Sequence, residues 1–342
     1  MARIFAGQAS SLAQSLAPKT LEEISSANVL RCPLICRWIM DVVCASDGNY
    51  LPHCTAMLHS LKEKNPEENI TVHLIFDNVD RDTFLKAAGF LKDRFPSFNV
   101  LRADAELVAD FPFDGHASAA TYFRLLLPSL LPANVQRVIF IDSDAIVMDR
   151  LRELWQLPLQ GKALAGVPDH WVSCRDHGYV HGDYFNAGIM LIDLNVWRQK
   201  DVLGLGRVFA KANPHRLQHW DQDVLNAVFA KEWLPIGERW NACPHLFGLL
   251  PDFDLSPERL TASERLAIRQ PAIVHFAGPG PVKPWNARST HPLRDHYLAA
   301  KAATPWSATP LDDLPAPRWV SLAQELTFRA KCKARRLLSL QG

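Results

Sequence analysis

The chain has 342 residues, of which 48% are hydrophobic and 21% charged, and its formal net charge is +1. Such a length and composition suit one large globular core with a small appended piece, and the near-neutral balance excludes bulk electrostatic binding of nucleic acid, so no nucleic-acid partner is expected. The seven cysteines (32, 36, 44, 54, 174, 243 and 332) are odd in number and form no Cys-x-x-Cys pair, which argues against a disulfide framework or zinc knuckle. A reducing compartment follows, and Cys44, inside an apolar run, is expected to pack as a small hydrophobe. No apolar stretch reaches the ~18–20 residues that span a bilayer. The N-terminus lacks the apolar segment of a secretory signal, so the expected location is cytoplasmic.

Residues 1–38 read as an N-terminal extension, rich in Ala and Ser, with a short helix around Lys19 to Ser26 and a basic, proline-interrupted piece from Arg31 to Arg37. Met40 to Ala45 then opens the core as a strand. From there strands and helices alternate. Helical patterns cover Leu51 to Lys64, Arg81 to Phe95, Ala117 to Leu127, Val202 to Ala212 and Asp223 to Lys231. Strand patterns cover Ile70 to Phe76, Phe98 to Leu101, Val138 to Ile141, Ala163 to Val167, Ala187 to Leu194 and Ala272 to Phe276. This alternation predicts an α/β fold, a mainly parallel sheet sandwiched by helices over residues 39–303.

Four prolines mark 304–317 as a linker. The segment 318–342 then carries six basic residues against one acidic, with Trp319, Val320, Leu322 and Leu326 on its apolar side. A basic amphipathic tail of this kind suits an anionic membrane surface, so peripheral association with the inner membrane is expected; the alternative is a terminal helix docked on the core.

Polar chemistry gathers at the strand ends. Val138 to Ile141 is an unbroken apolar run, as befits a strand buried on both faces. It stops at Asp142-Ser143-Asp144. Residues two apart in extended chain point to the same side, so both carboxylates can converge on one cation. Open α/β sheets take ligands beyond the carboxyl ends of their strands. The pair therefore predicts a divalent-metal site serving a nucleotide diphosphate, weighed against a plain polar turn. Further polar clusters lie at Ala45 to Tyr50, Tyr184 to Gly188, Trp220 to Asn226, and His275 to Gly278 leading into Lys283-Pro284-Trp285.

In this order of motifs the sequence resembles glycosyltransferase family 8, in particular the bacterial lipopolysaccharide galactosyl- and glucosyltransferases. The likeness runs from about Met40 to Tyr297, through Ala45 to Tyr50, Thr121 to Leu125, Asp142 to Asp144, Phe185 to Gly188, Asp221 to Asn226, and His275 with Lys283 to Trp285. It implies a GT-A type nucleotide-binding fold and a retaining transfer of galactose or glucose from a UDP-sugar to a glycan such as the lipopolysaccharide core. By the same resemblance Asp142, Asp144 and His275 would bind Mn²⁺, with Mg²⁺ as a substitute. Carboxylates plus one imidazole, completed by diphosphate oxygens, form a plausible set for a hard divalent ion.

The resemblance also places Asp47 and Tyr50 at the uracil ring, and Arg124 and Lys283 at the diphosphate or sugar. Ser143 and Gly278, inside the matched motifs, join the cofactor-binding set. Asn186, Asp221 and Gln222 would line the donor sugar, with Asp169 a further active-site carboxylate, and His116 and Thr121 would face the acceptor. Gln222, Asp221 and Asp169 are thus the candidate catalytic residues, with Gln222 stabilising positive charge during a front-face departure. For Asp221 the bland reading is an N-cap of the helix that follows, and Asp47 alone would read as a turn residue.

Two departures stand out. His275 and Lys283 are eight apart where the family spaces them six apart, so the loop must bulge. Gly48 replaces the second acid of an Asp-Asp-Asn-Tyr motif. Two other functions compete with this reading. A metal-dependent phosphohydrolase would carry a threonine two residues beyond the acidic pair, where Ile146 stands here. A non-catalytic nucleotide-sugar-binding protein has no need to keep every metal position filled.

Overall fold

The structure, a computed structural model, describes residues 39–112, 118–173, 182–250, 255–256 and 258–312. The N-terminal extension, His116 and the basic tail at 318–342 lie outside the described residues.

Among the described residues the main sheet has seven strands in the order β3-β2-β1-β4-β7-β6-β8. They are β1 (Ile39–Ser46), β2 (Asn69–Phe76), β3 (Ser97–Arg102), β4 (Arg137–Ile141), β6 (Leu164–Pro168), β7 (Phe185–Asp193) and β8 (Trp233–Pro235). Six run parallel, and β7 alone is antiparallel to its neighbours β4 and β6. Val138 to Ile141 and residues 185–192 are buried, which is why these segments read as continuous apolar runs rather than alternating ones.

Helices cover both faces. On one side Leu51–Lys64 buries Leu51, Cys54, Leu58 and Leu61, a spacing of three and four that keeps one stripe against the sheet. Pro52 sits in its first turn, where its missing N–H costs nothing. Arg81–Lys92 packs beside it, capped by Asp80, whose carboxylate accepts from the Thr83 N–H at 2.9 Å. On the other side lie Val202–Ala212 and Asp221–Val228. Each fully buried aliphatic side chain in these layers contributes roughly 1.5–3 kcal/mol of burial free energy. Cys44 and Cys54 are buried free thiols in this core, as expected for Cys44.

The structure departs from the sequence reading in four places. The segment expected as a helix over Ala117 to Leu127 is a 3-10 helix, Ala119–Leu126, followed by a single α turn, Leu127–Leu130, with Pro128 in its first turn. Its three-residue repeat sets Thr121 and Arg124 on one edge. The helix expected from Asp223 starts at Asp221, because the chain turns sharply at Trp220 with φ +46°.

The last predicted strand joins no edge of the main sheet. It is β9 (Ile273–His275), paired antiparallel to β5 (Ala145–Val147) in a separate two-stranded sheet. Finally, 304–312 is not a free linker. Thr304 and Trp306 are buried, the Lys86 ammonium lies 5.6 Å from the Trp306 ring centroid, and the Asp312 N–H donates to the Trp285 carbonyl at 2.9 Å.

Candidate active site

The site lies where the connections leave β1 toward β2 on one side and β4 lies on the other, the switch point at which α/β sheets open a crevice. Ser143 closes its floor. The Ser143 hydroxyl donates to the Ala45 carbonyl at 2.8 Å and ties the end of β4 to the end of β1. The antiparallel sense of β7 brings its first residues, Phe185 to Gly188, to this same end, and the Asp142 N–H donates to the Gly188 carbonyl at 2.8 Å. The β5–β9 pairing sets Ala145 opposite His275, so the imidazole hangs beside the acidic pair.

Ligand atoms of Asp142, Asp144 and His275 all lie within 4.8 Å of one another. His275 Nε2 is 3.2 Å from Asp144 Oδ1 and 3.7 Å from Asp142 Oδ2. Gly188 leaves room for the ring, since a methyl there would strike both His275 and Asp142. Two carboxylates and one imidazole, held open by that glycine, fit a divalent ion such as Mn²⁺ or Mg²⁺.

Two cations balance the acids. Arg124 Nη2 donates to Asp142 Oδ1 at 2.7 Å, while its Nε is 2.8 Å from Asp221 Oδ2 and its Nη1 reaches the Ala187 carbonyl. Burial works against that guanidinium, yet Asp142 and Asp221 hold its pKa above the ordinary value. Lys283 donates to Asp144 Oδ2. The longer loop from His275 is absorbed by the turn Gly280–Val282 and by positive φ at Gly278 and Gly280, so Lys283 still arrives at the acidic pair.

The carboxylates answer differently to these surroundings. Burial raises Asp142 from its ordinary value despite Arg124. Burial also opposes ionisation of Asp144, but the charges around it, Lys283 foremost, hold Asp144 well below the carboxylate range. Asp221 is pushed up to about 7 by burial, against the pull of Arg124. Asp221 is therefore not the cap of its helix: it is the first helical residue, and its carboxylate is spent on Arg124.

A second cluster adjoins the acids. Gln222 accepts from the Ala187 N–H with Oε1 at 2.9 Å and donates from Nε2 to Asp169 Oδ2 at 3.2 Å. Asn186 donates to the same Asp169 oxygen at 3.0 Å. The rest of the Asp221 to Asn226 motif is structural. Asp223 accepts the Tyr184 hydroxyl at 2.7 Å, and Asn226 clasps both the N–H and the carbonyl of Phe185.

At the β1 end, Asp47 Oδ1 accepts from the N–H groups of Asn49 and Tyr50, so the turn expected of an isolated Asp47 is present. Tyr50 stands edge-on to Trp285, with ring centroids 5.6 Å apart, and Trp285 stacks on His53 at 3.6 Å and 10°. The Lys283 ammonium is 5.8 Å from the Tyr50 ring and 5.6 Å from the Trp285 ring. Thr121 offers its carbonyl to Arg124 Nε at 3.3 Å, one 3-10 turn away. His53, Trp285 and Asn241, which contacts His275 Nδ1 at 3.0 Å, complete the surroundings. Of these, Trp285 falls within a sequence motif, His53 is marked only by the helical stripe at Leu51 to Lys64, and Asn241 carries no local signal.

The sequence profile of glycosyl transferase family 8 matches residues 41–289, and the chain belongs to that family. It is 30% identical to general stress protein A of Bacillus subtilis over 282 residues, covering 79% of this chain and 95% of the relative. It is 27% identical to the lipopolysaccharide 1,3-galactosyltransferase of Salmonella typhimurium over 273 residues, covering 76% and 77%. Among solved structures, the galactosyltransferase LgtC in complex with donor and acceptor sugar analogues superposes with a TM-score of 0.68 at 25% identity, over 79% of this chain and 99% of that one. The GT-A type architecture expected from the sequence is the fold observed.

Proposed function

We propose that the protein is a retaining hexosyltransferase that moves galactose or glucose from a UDP-sugar to a glycan acceptor of the lipopolysaccharide-core type, with Mn²⁺ at Asp142, Asp144 and His275. The observation that carries this reading is the meeting of two clusters in one crevice: the three convergent metal donors and the Asp169–Gln222–Asn186 amide network. The names of the Salmonella relative and of LgtC support the donor and acceptor classes.

A bound divalent ion supplies Lewis-acid charge for the departing nucleoside diphosphate. The protein's own residues do the rest. Asp47 and Tyr50 hold the uracil at the end of β1. Lys283 carries a fixed positive charge to the diphosphate oxygens. Asn186, Asp169 and Gln222 orient the sugar by directional hydrogen bonds. Arg124 stays locked between Asp142 and Asp221, keeping the metal pole and the sugar pole in register.

Retention of configuration requires either a protein nucleophile or attack from the face that the leaving group vacates. Gln222 is a neutral amide and a poor nucleophile. Its Oε1, fixed by the Ala187 N–H, retains a second lone pair that offers negative character to a positively charged sugar carbon. Front-face departure is the mechanism we assign. His116 and Thr121 serve the acceptor side. The basic composition of residues 318–342 supports docking at an anionic membrane that carries a lipid-linked acceptor.

The test is UDP release with Mn²⁺ across a panel of UDP-sugars, with and without truncated lipopolysaccharide. Slow release from one UDP-hexose, accelerated by the acceptor, is expected. Release that ignores every acceptor would point to hydrolysis, and no turnover of any donor would leave a binding protein.

A further inference from the structure

Asn241 lies outside the motifs that carry the family resemblance, yet it is only 1% exposed and stands between the two clusters of the site. It follows the short 3-10 turn Glu238–Trp240. The next residue, Ala242, pairs with β9: its N–H donates to the Ile273 carbonyl at 2.9 Å, and its carbonyl accepts from the His275 N–H at 3.1 Å. This pairing sets the Asn241 amide against the imidazole. Its Oδ1 is 3.0 Å from His275 Nδ1, and its Nδ2 donates to Asn186 Oδ1 at 2.8 Å.

Donor and acceptor rules orient the two amides of this chain of groups. Asp169 as a carboxylate only accepts, so Asn186 turns its NH₂ toward it, at 3.0 Å. The Asn186 oxygen then faces the other way, where it takes the Gly188 N–H, a group that only donates, at 3.0 Å. Facing that oxygen, Asn241 presents Nδ2. Its Oδ1 is thereby left for His275, with the Cys243 thiol as a second donor at 3.4 Å. His275 Nδ1 is the nearer partner: in the neutral ring a proton there completes the hydrogen bond to Asn241 and leaves Nε2 a lone pair directed at the position between Asp142 and Asp144.

Without Asn241 the balance would tip the other way. Both carboxylates lie on the Nε2 side and favour a proton there, which would cover the lone pair that a metal needs. We infer that Asn241 is a positioning residue that holds His275 in its Nδ1–H form, its own orientation imposed from Asp169 through Asn186, so that the metal donors and the sugar-facing groups share one hydrogen-bonded relay. The inference rests on the metal reading proposed above. It goes beyond that reading in naming the residue that prepares the ligand and the relay that couples the two poles.

The experiment combines histidine-selective ¹⁵N NMR of the full chain, free of metal and loaded with diamagnetic Mg²⁺, with Mn²⁺ titration followed by electron paramagnetic resonance. The His275 signal is assigned by its loss in His275→Ala. In the wild-type protein Nδ1 should give the shift of a protonated nitrogen in both states, and Nε2 of the metal-free protein that of an unprotonated one. Asn241→Leu should move the proton to Nε2 in the metal-free protein and weaken Mn²⁺ binding by about 10- to 100-fold. Asn241→Asp, which keeps an acceptor against Nδ1, should restore the Nδ1–H signal.

An unprotonated Nδ1 in the wild-type protein overturns the inference, as does Asn241→Leu with an unchanged tautomer and unchanged Mn²⁺ affinity. If Asn241→Leu fails to fold, the wild-type spectrum and Asn241→Asp decide. A wild-type protein that binds no Mn²⁺ defeats the proposed function, whereas the tautomer is still read from the metal-free spectrum.

Discussion

Gly188 and His275 are in such close contact that the glycine shapes the candidate metal site. A Cβ built on Gly188 would lie 2.2 Å from His275 Cε1, 2.6 Å from its Nδ1 and 2.9 Å from Asp142 Oδ2. Its φ is not in the left-handed region, so the constraint is space rather than backbone strain. Gly188→Ala should therefore fold and yet displace the imidazole. We expect Mn²⁺ affinity to fall at least ~10-fold, as for a misoriented ligand. Isothermal titration of the variant checks this, and wild-type affinity would mean that the ring moves aside without penalty.

The charges around Asp144, Lys283 foremost, outweigh its burial and hold it well below the carboxylate range. Asp144→Ala removes one donor and leaves Lys283 without its partner. Turnover should drop by ~100-fold or more, since a Lewis-acid contribution is worth several kcal/mol. Steady-state rates at saturating Mn²⁺ decide the matter, and a near-wild-type rate would remove Asp144 from the metal set.

Arg124 is buried between Asp142 and Asp221 and lies over the Phe140 ring at 4.5 Å. Arg124→Met strips both carboxylates of their cation. Breaking a buried pair in this way costs about 3–5 kcal/mol. Protonation of Asp221, already pushed to about 7, places the expected loss toward the lower end. Urea unfolding at pH 7 gives the number, and a loss below ~1 kcal/mol would mean the acids are hydrated in the native state.

His53 and His291 are held neutral by burial, with pKa values lowered to about 3, and His245 is lowered to about 4. The unfolded chain protonates these rings near 6.5 while the folded protein does not, so between pH 6.5 and the folded values the unfolded state binds more protons. Stability must fall as the pH is lowered through that window, by up to ~1.4 kcal/mol per pH unit for each ring. Urea midpoints at pH 7, 6 and 5 should decline steadily. A flat profile would show that these rings charge without unfolding.

Trp285 stacks on His53 and backs the Lys283 ammonium. Trp285→Leu keeps an apolar group but loses the ring face. The KM for the UDP-sugar should rise at least ~5-fold, the worth of a cation–π contact and the stack behind it, with a smaller change in kcat. Equal falls in kcat and kcat/KM would place Trp285 at the reacting centre instead.

Much of this was legible in the residues alone. The unbroken apolar run into Asp142 and Asp144 matches a strand buried on both faces that ends at the edge of a sheet, and the polar groups at Asp47, Asn186, Asp221 and His275 stand at strand ends or helix starts. The direction of β7 was not legible. Eight of its nine residues are buried, so its composition reads the same along either direction. Nor was the 3-10 winding of Ala119–Leu126, whose apolar spacing fits three or 3.6 residues per turn over so short a length. Trp306, between two prolines, carried the composition of a linker and was drawn into the core by its indole.

By itself the sequence determined which chemical groups are available: two carboxylates one residue apart, a late imidazole, a buried-strand framework and an amide-rich helix start. These depend on neighbours within a few positions, where backbone periodicity governs. Only the tertiary structure decided which of those groups meet. Lys283 reaches Asp144 across 139 residues, His275 is delivered by the pairing of β9 with β5, and Arg124 and Asn241 acquire their roles from partners on other elements. Such contacts are set by non-local hydrogen bonding and close packing, which leave no periodic trace in the chain that makes them.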